Sequence, residues 1–165
     1  MSARVLVVDD EESIRFTLKQ FLLQEGHDVL TVGDYAAALK AISNEALDLI
    51  FVDIVLGERS GVDILRSAKR LGLTCPVIII TGFPNLDTAS EALRLGAFDY
   101  LPKPVRKEAI LRTTRMALNH KHLLDQREIA ETKQENYRRH LEAVFRSVTD
   151  AIITVDKDMM VTGFN

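Results

Sequence analysis

The chain is 165 residues long, 47% hydrophobic and 27% charged, with a formal net charge of -3. Those values suit a soluble globular protein and argue against a general nucleic-acid or membrane-surface binder. A single cysteine, Cys75, excludes a disulfide framework and fits a reducing cytoplasm.

The first predicted strand, Arg4 to Val8, is apolar after its arginine and stops at Asp9-Asp10. The acids Asp9 to Glu12 break that run at once, so no secretory leader is expected, and no stretch approaches the roughly 20 apolar residues of a membrane span. A helix starts at Ser13 or the acids before it. Ile14, Leu18, Phe21 and Leu22 give its spacing, and Gly26 is the expected C-cap. His27 to Val32 is a more polar strand, as at a sheet edge. Asp34 can cap a helix carrying Ala37, Ala38, Leu39, Ala41 and Ile42.

Leu49 to Val52 is an uninterrupted apolar run, the pattern of a strand buried on both faces, and Asp53 ends it. The chain then turns away through Ile54 to Gly57. Val62, Ile64, Leu65, Ala68 and Leu71 mark a helix ending near Gly72. Pro76 opens a fourth strand, Val77 to Ile80, which ends at Thr81-Gly82, and Cys75 before it reads as a small packing residue. A helix over Leu86 to Leu95 is stopped by Gly96. A short strand, Ala97 to Leu101, leads into Pro102-Lys103-Pro104. Strands alternating with helices over about 120 residues imply right-handed crossovers and a parallel sheet covered on both faces. The expected fold is α/β: a doubly wound, five-stranded parallel sheet in the flavodoxin-like order 2-1-3-4-5.

Between Glu108 and Arg146 there is no Gly or Pro, which predicts a long C-terminal helix. Tyr137, Leu141, Val144 and Val148 follow a four-three-four spacing, and Ile110, Ala117 and Leu124 mark a separate face. A stutter between two short heptad tracts and a solvated connector both fit the polar stretch between them. Beyond it, Ala151 to Val155 and Met159 to Gly163 suit two strands around a turn, too little for a stable unit. The expected divisions are 1–120, a linker with coiled-coil potential over 121–147, and the truncated start of another domain over 148–165.

In the expected strand order, Asp9-Asp10, Asp53 and Thr81 share one mouth, with Lys103 just past the fifth strand. Carboxylates crowded together repel unless a cation neutralises them. Magnesium fits, with its oxygen ligands and positions left for water and phosphate. A carboxylate held ionised beside a cation and a lysine can attack phosphorus.

Val5-Leu6-Val7-Val8-Asp9-Asp10-Glu11, the Asp53 strand, Ile80-Thr81-Gly82 and Ala97 to Pro104 together resemble the receiver domain of two-component response regulators, nearest the nitrogen-regulation type. The resemblance covers residues 3 to about 120. It implies that Asp53 accepts a phosphoryl group from a cognate histidine kinase. It further implies that Asp10, Asp53 and the Val55 carbonyl hold Mg2+ while Asp9 helps through water. Thr81 and Lys103 would bind the phosphoryl oxygens, Lys103-Pro104 would be a cis peptide, and Tyr100 would be the switch aromatic. A kinase would meet the Ile14 to Leu22 face. A homodimer is expected through the last strand and its helices or through the long helix, with no direct nucleic-acid binding by this fragment and no membrane. Val55 and Phe83, both apolar, predict a long-lived phosphorylated form. Leu141 to Phe145, Asp150 to Asp156 and Gly163-Phe164-Asn165 resemble the opening of a PAS sensor domain.

Two other functions use similar residues. A magnesium-dependent α/β phosphatase would normally carry a second Asp two residues after its nucleophile, where this chain has Val55. A phosphorylation-independent dimerising scaffold would not need the full set Asp10, Asp53, Thr81 and Lys103.

Overall fold

Short apolar runs and the helices between them build the sheet. In the computed structural model β1 is Arg4–Val8, α1 Glu12–Gln24, β2 Asp28–Val32, α2 Tyr35–Asn44 and β3 Leu49–Asp53. A two-stranded hairpin follows, β4 (Val55–Leu56) and β5 (Arg59–Ser60), then α3 (Gly61–Arg70), β6 (Val77–Thr81), α4 (Leu86–Arg94), β7 (Asp99–Pro102) and α5 (Lys107–Ser147). A last pair, β8 (Ile153–Val155) and β9 (Val161–Phe164), is antiparallel. The structure describes residues 2–84, 86–147, 153–155, 157–158 and 160–164. The expected strand ends at Ala151, Ile152 and Met159 lie outside them, and so does Val148.

The chain forms two compact units, Met1–Leu123 and Leu124–Asn165. In the first, the parallel sheet has the order β2-β1-β3-β6-β7. This is the predicted arrangement of the five long strands, with the numbering advanced by the hairpin. That hairpin was not expected, because two-residue arms are too short to show a period. The last long strand starts at Asp99 rather than Ala97: the Ala97 N–H still closes the end of α4 on Ala92 O, and the Phe98 N–H makes the first bond onto β6, to Val77 O.

Alternation along each strand sends side chains to opposite faces. Leu6, Val8, Ile50, Val52, Val77 and Ile79 face one core, which is covered by Ala38 and Ile42 of α2, Ile64 and Leu65 of α3 and Ala92 of α4. Val5, Val7, Leu49, Phe51, Ile78 and Ile80 face the other, covered by Leu18 and Leu22 of α1 and by Ile110 and Ala117 of α5. Two expectations change here. Ile110 and Ala117 are core residues, not a heptad seam. The Ile14 to Leu22 spacing also serves the core, with Leu18 and Leu22 buried, so the exposed apolar side chains of α1 are Phe16 and Leu23.

The predicted helix signals act as chemistry requires. Asp34 Oδ1 accepts from Ala37 N–H at 2.8 Å to start α2, and Ser60 Oγ accepts from Val62 N–H at 3.2 Å to start α3. Gly26 and Gly96 follow α1 and α4 with φ of 81° and 84°, a conformation that side-chain-bearing residues resist. Cys75 is buried, and burial pushes its thiol up to about 11, as suits packing rather than reactivity.

Candidate functional site

The carboxyl ends of β1, β3 and β6 are neighbours, with Val8 opposite Val52 and Asp53 opposite Ile80. The next residues in each strand direction therefore meet at one mouth. Asp9 and Asp53 are buried there, while Asp10 is exposed at the rim. One carboxylate oxygen from each of the three lies within 4.8 Å of the others. Thr81, fully buried, ends β6; its Oγ1 accepts from Phe83 N–H at 3.2 Å.

Lys103 reaches the cluster from just past β7. Its N–H donates to the Thr81 carbonyl at 2.7 Å, and the Lys103-Pro104 peptide that follows is cis. The ammonium Nζ donates to Asp53 Oδ2 at 2.7 Å and to Glu11 Oε1 at 3.1 Å. It also lies 2.9 Å from Asp9 Oδ2, an ion pair aligned too poorly to count as a hydrogen bond, so that buried oxygen has no hydrogen-bond partner. Of those two readings of Asp9 Oδ2 the ion pair carries the electrostatics, since Coulomb attraction depends on distance more than on angle.

Protonation equilibria follow from this crowding. Burial raises Asp9 above the ordinary carboxylate range, and the nearby Asp53 charge adds to it. Contacts with Lys103 and the Glu11 N–H, which donates to Asp9 Oδ1 at 2.9 Å, pull the other way and do not cancel it. Burial alone would lower Lys103, but Asp53, Asp9 and Glu11 outweigh it and hold the ammonium above the usual lysine value. The mouth is thus short of positive charge. Asp9 Oδ2, ion-paired to Lys103 but without a hydrogen bond, lies beside two more carboxylates, and that oxygen-rich set fits a hard cation.

Sequence reasoning named Asp9, Asp10, Asp53, Thr81 and Lys103, and the structure brings all five to one mouth. Val55 is next to it: its N–H donates to Asp53 Oδ1 at 3.3 Å, and its side chain is exposed. Phe83, also exposed, stands two residues past Thr81. Tyr100 is half-buried on β7, its hydroxyl 2.9 Å from Thr88 Oγ1 on α4.

Three contributors were missed. Glu11 read as part of a helix-starting acidic run. Arg15 Nη1 donates to the carbonyls of Asp9 and Asp10 at 2.7 and 3.0 Å and so fixes the turn that aims both carboxylates. At Gly61 a Cβ would overlap the Asp53 carbonyl oxygen, so only glycine lets α3 begin against the end of β3. The sequence hint for Arg15 was its place one turn into the helix after Asp9-Asp10; Gly61 carried none beyond its residue type.

A family model described as "Response regulator receiver domain" matches residues 5–115. This chain belongs to that family. It is 35% identical over 121 residues to the transcriptional regulatory protein ZraR of Escherichia coli O157:H7, covering 73% of this chain and 27% of that one. It is also 35% identical over 148 residues to the DNA-binding transcriptional regulator NtrC of Proteus hauseri, covering 90% of this chain and 29% of NtrC. Among solved structures, the receiver domain of a putative LuxO repressor from Vibrio parahaemolyticus superposes with a TM-score of 0.74 at 29% identity, over 78% of this chain and 98% of that one. The receiver therefore serves as a phosphoacceptor switch of two-component signalling, and its sheet order is that of the family. The chain spans under a third of the length of ZraR and NtrC. No helix among the described residues is long and apolar enough to cross a membrane.

Proposed function

We propose that Asp53 is the phosphoacceptor and that its Oδ attacks the phosphorus of a phosphohistidine on a cognate histidine kinase. The new bond is Asp53 O–P. The bond broken is N–P, whose electron pair leaves with the imidazole, which then takes a proton from solvent. The observation that carries this reading is the buried Asp53 carboxylate with the Lys103 ammonium at 2.7 Å, beside Asp9 and Asp10. Asp10, Asp53 and the Val55 carbonyl would hold Mg2+, with Asp9 acting through water. That ion would neutralise the acids and the incoming phosphoryl oxygens. Lys103 turns from Asp53 to a phosphoryl oxygen, and the Thr81 hydroxyl donates to another. Tyr100 then exchanges its Thr88 contact for a more inward position as Thr81 is drawn to the phosphate.

The chemistry is self-catalysed transfer to Asp53, not turnover. Incubation with acetyl phosphate and Mg2+ should add the mass of one phosphoryl group to the parent chain and none to Asp53→Asn. Modification of the variant, or none of the parent, overturns the assignment. Because Val55 and Phe83 offer no polar group to an attacking water, the acyl phosphate should be long-lived. Substituting both by polar residues should speed phosphate loss several-fold, and an unchanged rate counts against that part.

The same reading assigns 1–120 to the receiver, 121–147 to a helical signalling linker and 148–165 to the start of a PAS domain. The compact unit Met1–Leu123 supports the first boundary, and the antiparallel pair β8–β9 is compatible with the last. Exposed Leu93 on α4 and Met116, Tyr137, Leu141 and Val144 on α5 support homodimerisation through the last helices or the long helix. The kinase, a cytoplasmic setting and an output in transcription are what the receiver family and its relatives support.

A further inference from the structure

A cleft of about 700 Å3 opens between the start of α2, the β4–β5 hairpin and the ends of α3 and α4. Arg59, Arg66, Lys69, Arg70 and Arg94 line it, with Tyr35 on one wall and Asp63 the only carboxylate in the lining. This concentration of cations occurs in a chain whose net charge is -3. Arg66 is spoken for: it pairs with Asp63 at 3.3 Å and with Glu91 at 2.9 Å. Among the described residues no carboxylate pairs with Arg59, Lys69, Arg70 or Arg94.

Favourable alignment with the helix dipole accounts for Lys69 and Arg70 in the last turn of α3 and for Arg94 in that of α4. It does not account for Arg59, which comes from the hairpin. Its guanidinium sits over the Tyr35 ring, 5.4 Å from the centroid, so one arginine plane is held in place at the edge of the cleft. Four like charges converging on one hollow repel each other and raise the local concentration of counter-anions. The volume is that of a small-molecule site, within the usual range of about 300–1,000 Å3. Guanidinium forks recognise phosphate in two-pronged fashion. A single phosphate carries only about -2, so several linked phosphates are needed to match the unpaired cations.

We propose that this cleft binds a small molecule carrying a chain of phosphates, at a site separate from the Asp53 mouth. A nucleoside triphosphate and inorganic polyphosphate share that chemistry. Calorimetric titration of the full chain, with EDTA present so that magnesium takes no part, uses inorganic tripolyphosphate, ATP and inorganic phosphate as probes. Tripolyphosphate should bind at physiological ionic strength, at least tenfold tighter than inorganic phosphate, and shift the amide resonances of Arg59, Lys69 and Arg94. ATP binding like tripolyphosphate means that the phosphate chain alone is read; ATP binding tenfold tighter means that the nucleoside is read as well. Arg70→Gln/Arg94→Gln, checked for an unchanged urea midpoint, should weaken tripolyphosphate at least tenfold; Arg59→Gln serves if that pair disturbs folding. The proposal falls if tripolyphosphate does not bind, binds no better than phosphate, or binds the variants as it binds the parent. Phosphoryl uptake from acetyl phosphate is measured on the same samples, so failure of the cleft is separable from failure of the Asp53 assignment.

Discussion

Two groups of ion pairs in this molecule have nearly the same distances and opposite meaning. At the sheet mouth, Lys103 Nζ lies 2.7 to 3.1 Å from Asp53, Asp9 and Glu11, with its side chain only 11% exposed. Along α5, Glu135 Oε1 lies 3.2 Å from Arg138 Nη2 and 3.1 Å from Arg139 Nε, with those arginines 68% and 72% exposed. Water screens the second set, at an effective dielectric of about 80, whereas partly buried sites behave nearer 20. Distance alone therefore says little; burial decides whether a charge is held or merely near another. At the mouth the buried partners Asp9 and Asp53 cannot be swapped for water, so they can be swapped only for something equally charged, such as a phosphoryl group and a cation.

Removal of Lys103 should have the largest effect. Lys103→Met leaves Asp9 and Asp53 buried together without their cation, and breaking a buried pair on one side costs about 3–5 kcal/mol. Urea unfolding at neutral pH without divalent ions should show a loss of that order. The loss should shrink in acid, where Asp9, raised by burial, takes up a proton, and in Lys103→Met/Asp53→Asn. A loss below about 1 kcal/mol would mean that the mouth is as solvated as α5. Mg2+ sharpens the same point. At a hundred times its Kd it should stabilise the parent by about 2.7 kcal/mol through binding to the folded state alone. Asp10→Asn should blunt that gain, and an unchanged gain would remove Asp10 from the ligand set.

The parts of this mouth that were legible in the sequence are those where chemistry and periodicity coincide. Asp53 and Thr81 end uninterrupted apolar runs, so pattern located both the strand and its functional end. Lys103 was visible because Pro102 and Pro104 frame it. What escaped depends on the third dimension. Arg15 acts through its long side chain on backbone carbonyls, which leaves no period. Gly61 matters only because β3 and α3 come within van der Waals distance. The hairpin Val55 to Ser60 is too short for alternation, yet it supplies Arg59 to the basic cleft. On α5 the 3.6-residue pattern was readable, but Ile110 and Ala117 could be assigned to the core only once the sheet face opposite them was known.

A smaller effect is expected at His27. Its Nδ1 is buried with no hydrogen-bond partner, and burial lowers its pKa below the usual 6.5, with Glu25 opposing weakly. The sign follows from linkage: the unfolded chain takes up the proton first. The stability contribution is therefore complete above pH 6.5 and is lost as pH falls from there through the lowered folded value. His27→Gln should flatten that part of the stability profile. An equal slope in parent and variant would mean that the imidazole is solvated.

The smallest effect belongs to α5. Glu135→Gln removes the acceptor shared by Arg138 and Arg139, and exposed pairs of this spacing are worth about 0.3–0.5 kcal/mol each at low salt. Far-ultraviolet circular dichroism should show a slight loss of helix that disappears in high salt, where parent and variant become alike. A loss above about 1 kcal/mol that persists in salt would mean that Glu135 is shielded from water in solution by a second copy of the chain. The long helix would then resemble the mouth, a place where burial turns ordinary ion pairs into fixed ones. Phosphorylation would act on an interface already formed rather than create one, and sedimentation of the parent would find dimers without any phosphoryl donor.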